Sequence, residues 1–349
     1  MVGDRPVNLF KSPSMKRLYS AIGVVSIMLQ SAGSAQEIPV TSRATADEEI
    51  GVLINITPIP QGEIGKVVAD VMAEVVKGNR SRVPGLSLRA DEAIPYLPAF
   101  AISANDLVRS AAAEVASLSQ SEKAVQILTV IAGGKGSSAT VAVERLFIVY
   151  SPVEILKWGN RQLAKSLMRY LERVPNSAEG ILLLSCFKSD KSVPRFLHRH
   201  RKKHAALDLM ITRPEESPLV KAPVCIDISL SELGKTDAAE RLGGYLTGKS
   251  IDDILFILHA MKVINNRGTL LKISELLKDS RVAFETGLSH SSEPPMIIRV
   301  NDIALHVLRY KLNPGKDQSG VNYARRSPDE EIARAYEEFG TAIRGNHKY

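Results

Sequence analysis

The stretch Asp91 to Leu118, DEAIPYLPAFAISANDLVRSAAAEVASL, constrains this chain more than any other. Ile94, Leu97, Ala101 and Ile102 recur at helical spacing. After a break, Leu107, Ala111, Ala112, Val115 and Leu118 recur in the same way. The break, Ser103-Ala104-Asn105-Asp106, consists of turn and helix-capping residues. The spacing predicts two amphipathic helices joined by a tight polar turn. Ala111, Ala112, Ala113 and Ala116 are strong helix formers, and their small side chains let a neighbouring helix approach closely. A pair this short leaves an apolar side that only further helices can cover.

Later stretches follow the same plan. Ile181 to Phe187, the turn Ser189-Asp190 and a helix from Val193 make one pair. Ala222 to Leu233, Gly234 to Asp237 and Ala238 to Leu246 make another, and Ile251 to Ile264, Asn265 to Gly268 and Thr269 to Leu277 a third. Superposing the turns aligns Phe187, Leu233 and Ile264, 46 and 31 residues apart, and brings Phe196, Leu242 and Ile273 together. In the first pair Asn105, Asp106, Val108, Arg109, Ala112 and Ala113 stand where a HEAT-like repeat has its polar turn and the opening of its second helix. The chain resembles a HEAT-like (armadillo-type) helical-repeat protein over about residues 90–312. That resemblance implies an all-α fold, an α-α superhelix of stacked antiparallel helical hairpins, and a binding or scaffold role over catalysis. Phe284 to Pro295 interrupts the pattern and reads as an inserted loop. An aromatic content of 5% with one tryptophan, Trp158, also suits helix packing better than a β-sandwich.

The first 35 residues read as export machinery. A lead of 14 residues is followed by Met15, Lys16-Arg17, an apolar run from Leu18 to Leu29, and small residues up to Ala35. This is the pattern of a secretory signal peptide cleaved before Gln36, with Met1 or Met15 as the start. The apolar run is too short to span a bilayer comfortably. The expected location is the periplasm. Residues 36–312 are then the helical-repeat domain, and 313–349 a polar linker with a last helix. Ser327 to Glu330 caps that helix, and its apolar face is Ile332, Ala335, Tyr336, Phe339 and Ile343. The net charge of +7 includes +3 from the first 35 residues, so the remainder is only mildly basic. That balance does not by itself point to nucleic acid.

The densest charge is the run Arg195 to His204, which holds Arg195, Arg199, Arg201, Lys202 and Lys203. These five are the candidate anion-binding residues, because lysine and arginine displace counterions from polyanions and from lipid headgroups. A solvated helix end favoured by the helix dipole accounts for the same pattern. Past Phe196 no Phe, Tyr or Trp interleaves the run, which disfavours single-stranded nucleic acid. His200 and His204 have the spacing of a metal pair, but cations crowd them and no carboxylate is adjacent. Gly133-Gly134-Lys135-Gly136-Ser137-Ser138 lacks the spacing of a phosphate-binding loop and reads as a helix–helix connection. Cys186 and Cys225, the two cysteines, are either a disulfide or small core residues. Glu285, Ser289, His290 and Glu293 place reactive types in one loop, the starting point for an enzyme. The expected function is an exported non-enzymatic scaffold or binding protein with a protein partner. The first alternative is an anion- or lipid-surface binder using 195–204, and the second an envelope enzyme using 284–295. No metal, cofactor or catalytic residue is assigned.

Overall fold

The computed structural model describes residues 63–209, 220–286, 296–312 and 326–345. The leader, most of the 284–295 loop and the linker after Leu312 lie outside these residues. Among the described residues there are seventeen α-helices and one two-stranded antiparallel sheet. The first nine helices are α1 (Glu63–Val76), α2 (Val83–Ser87), α3 (Ala90–Ala93), α4 (Pro98–Ala101), α5 (Asp106–Ser117), α6 (Glu122–Gly133), α7 (Ser137–Val149), α8 (Pro152–Trp158) and α9 (Arg161–Arg173). Then come α10 (Ala178–Leu184), α11 (Ser192–Lys203), α12 (Ala222–Glu232), α13 (Thr236–Thr247), α14 (Ile251–His259), α15 (Arg267–Ser274), α16 (Val300–Leu312) and α17 (Asp329–Gly345).

The alanine-rich α5 forms as its sequence dictates. Asn105 caps it by accepting from the Leu107 and Val108 amides at 2.9 and 3.4 Å, and Ala111, Ala112, Ala113 and Ala116 are fully buried. The segment before it is not the single helix that the spacing predicts. Pro95 and Pro98 each lack an N–H, and they split it into α3, a 3-10 turn at Ile94–Tyr96 and α4. The insertion is also not wholly a loop. Strand β1 (Val282–Thr286) pairs with β2 (Met296–Arg299), so the all-α expectation holds apart from this hairpin.

Helices close in sequence are neighbours in space. One line of contacts runs α5 to α7, α7 to α10, α10 to α12, α12 to α14 and α14 to α16. A second joins α4 to α6, α6 to α9 and α9 to α11, and a third joins α13 to α15 and α15 to α17. The last helix therefore packs by Ile332, Ala335, Phe339 and Ile343 onto the described end of these lines.

Two details explain how the lines are held. The glycine turn between α6 and α7 is fixed from α5, where Asp106 accepts from the Ser137 amide at 2.9 Å and from the Ser138 hydroxyl at 2.5 Å. Asp106 is thus a cap for α7 supplied by another helix. Gly136 sits there with φ +93°, and a side chain at that position would run into the Asp106 carboxylate. The second detail is α12, which is buried on every side from Val224 to Glu232. A helix in that position must find partners for its polar groups. The Ser229 hydroxyl donates to the Ile181 carbonyl at 2.9 Å, Ser231 meets Thr269 at 3.1 Å, and Glu232 accepts from the Asn266 amide at 2.9 Å. Asp227 needs more than these, and its partners bear on the site below. Cys186 and Cys225 are both free thiols in the core, and burial pushes both above the usual thiol range, Cys186 to about 11.

Candidate functional site

Helix α9 begins at Asn160, whose side chain accepts from the Gln162 and Leu163 amides at 2.8 and 3.4 Å. Leu163, Leu167 and Leu171 are completely buried, which fixes the rotation of the helix. Each such leucine is worth about 1.5–3 kcal/mol. With the leucines inward, Arg161, Lys165 and Arg169 form a row at one-turn intervals along another face. Arg173, the next member, leaves the row: its guanidinium donates to the Ala132, Gly133 and Gly134 carbonyls and so closes the end of α6.

Helix α11 is built in the same way. Asp190 accepts from the Ser192 amide at 2.9 Å and its hydroxyl at 2.6 Å. These bonds hold the Asp190 carboxyl below its ordinary range despite partial burial, with Arg161 and Lys165 adding to the effect. Val193, Phe196, Leu197 and His200 turn inward, which leaves Arg195 and Arg199 outward, again one turn apart.

Between α9 and α11 lies an open cleft of about 1020 Å³. Its walls carry six cations, Arg161, Lys165, Arg169, Lys191, Arg195 and Arg199, against two carboxylates, Glu172 and Asp190. Leu156, Met168, Phe187 and Phe196 give it apolar surface, and the Arg199 guanidinium lies 5.8 Å from the centre of the Phe196 ring. Gly159 stands at the edge, where α8 turns into α9. A side chain there would collide with the Ile155 carbonyl.

The structure divides the five candidate residues of the basic run. Arg195 and Arg199 line the cleft. Lys202 and Lys203 are exposed and, with His198 and Arg199, surround a second hollow of about 540 Å³. Arg201 points elsewhere: its Nε and Nη2 donate to the two carboxylate oxygens of the wholly buried Asp227 at 3.0 and 3.1 Å. Arg241 and the Tyr245 hydroxyl, at 2.8 and 3.0 Å, complete that set. His200 is buried, with Nε2 2.9 Å from the Pro175 carbonyl and its ring stacked on Phe196. Burial keeps both His200 and His204 below the ordinary histidine value. Of the candidate enzyme loop, Glu285 lies exposed in β1, while Ser289, His290 and Glu293 are outside the described residues.

Reading the sequence for dense charge therefore missed Arg161, Lys165 and Arg169. Their signal is present as cations four residues apart, but that spacing shows only a shared helix face and not what stands opposite it. Compared with protein-family models, with curated proteins and with solved structures, the chain matches none.

Proposed function

We propose that this chain is an exported, non-enzymatic helical-repeat protein that binds an anionic partner in the cleft between α9 and α11. In this reading the three lines of helix contacts are the rails of a HEAT-like superhelix of stacked hairpins, in which each pair covers the apolar side of the next. The observation that carries the binding role is the excess of cations on the two walls. Like charges one turn apart on a helix repel, and a row of them opposite a second row repels further. An anion in the cleft relieves both and releases its own counterions. A protein partner, the one first expected from the sequence, meets the same requirement where its surface is acidic.

The test uses inorganic polyphosphate as the probe. The full chain is expected to bind it, with an affinity that falls linearly as salt rises on logarithmic axes. Replacing Arg161, Lys165, Arg195 and Arg199 together by Gln should lower the slope by roughly 3, at slightly under one per lost contact. A variant that keeps the full slope would show that the cleft is not where anions bind. Arg201 is kept out of this set, because replacing it disturbs Asp227 and not only the surface.

A further inference from the structure

We infer that the cleft takes the headgroups of an anionic phospholipid surface, with α8 laid against the membrane beside it. This rests on the cleft as an anion site and adds what α8 presents. Val153 is 73% exposed and Leu156 53% exposed, and three-residue spacing puts them on one face of α8. The fold does not need them there. The helix is held by Ile155, its fully buried residue, and by a capping box in which the Ser151 amide donates to Glu154 at 2.7 Å. Single exposed aliphatics are ordinary. These two share a face, and Leu156 lines the same cleft as Arg161 and Arg199.

A soluble polyanion complements the cleft but leaves Val153 and Leu156 in water. An anionic membrane surface covers both: its charge answers the arginines, and its acyl boundary takes the aliphatic side chains. Trp158 at the end of α8 suits such a boundary, being half-buried, edge-on to Tyr150 at 6.2 Å, with the Lys157 ammonium 5.5 Å from its ring centre. Among the described residues no helix is long and apolar enough to cross a membrane, so the contact proposed is with the surface.

The experiment is sedimentation of the full chain with vesicles of phosphatidylglycerol and phosphatidylcholine, against pure phosphatidylcholine, alongside the polyphosphate titration. Trp158 is the only tryptophan in the chain, so its emission reports on α8 alone. Binding to the phosphatidylglycerol vesicles only, with a blue shift of that emission, is the expected result. Val153→Ser, at a position outside the cleft wall, should weaken vesicle binding by about tenfold and leave polyphosphate affinity unchanged. Val153 is exposed, and an unchanged circular dichroism spectrum confirms folding. If the wild type binds polyphosphate and ignores the vesicles, or the Val153→Ser variant binds vesicles as tightly as the wild type, the membrane inference falls and the cleft remains. If the wild type binds neither probe, both fall.

Discussion

Helix α11 carries arginines of two fates within two turns. Arg201 faces a carboxylate with no exposure at all, and shares it with Arg241 and Tyr245. Arg195 and Arg199 face a cleft in which cations outnumber carboxylates six to two. The residue type is the same, so composition does not separate them. The difference lies in what stands opposite. Asp227 is placed on α12, the helix that the fold buries on all sides, and a carboxylate there is tolerable only with donors around it. Burial raises the Tyr245 phenol, and the Asp227 charge raises it further. The first group of charges is thus closed: both guanidiniums donate to the buried Asp227, and Arg241 also pairs with Asp237 at 2.9 Å. The cleft is open: Arg161 lies 3.8 Å from Asp190, and the cations lining it outnumber the carboxylates six to two.

The comparison breaks most readily at the closed side. Replacing Arg201 and Arg241 together by Met leaves Asp227 buried with one hydroxyl, and should cost about 3–5 kcal/mol. Urea unfolding followed by helix ellipticity measures it, and a loss below about 1 kcal/mol would mean that Asp227 is not a structural charge. A smaller effect is expected at Asp106, another carboxylate closed by donors. Burial alone would raise its carboxyl, but the hydroxyls of Ser138 and Ser137, the Ser138 amide and Arg109 outweigh that and hold it at about 2, below the ordinary 3.8. A depressed carboxyl stabilises the fold fully above its unfolded value and loses that contribution as it becomes protonated. Stability should therefore fall as pH drops from about 4 to about 2. Asp106→Ala should cost about 1–2 kcal/mol at neutral pH and flatten that part of the acid profile. An unchanged profile would show that Asp106 is not the cap of α7.

What the sequence discloses and what it hides follow the same division. The helices α5, α12 and α17 were legible because apolar spacing and capping residues are local. Asn105, Ser151 and Asn160 cap where they stand in the sequence. The split of residues 90–101 was also written there, in Pro95 and Pro98, but their spacing with apolar residues resembled one helix. The strands β1 and β2 were overlooked although Val282, Phe284, Ile297 and Ile298 are strand formers, because nine residues separate them, more than a tight hairpin turn holds. Charge was the least legible. The partner of Arg201 lies 26 residues away, and no local pattern reveals that it is buried. The row on α9 was local, yet it becomes a wall of a cleft only when α11 is set beside it.

The smallest effect gives the sharpest contrast, because its sign is opposite. If Arg195 and Arg199 serve a ligand and not the fold, replacing both by Gln removes repulsion along α11 and across the cleft. The folded chain should then gain about 0.2–0.5 kcal/mol in low salt. That gain should vanish near 1 M salt, where the screening length falls to about 3 Å. The Arg201 and Arg241 pair should keep most of its loss under the same conditions, because charges around a buried carboxylate are screened much less. Unfolding each variant in low and high salt therefore sorts the arginines by what they face. A loss of stability for Arg195→Gln with Arg199→Gln at both salts would place those residues with Arg201, as part of the fold.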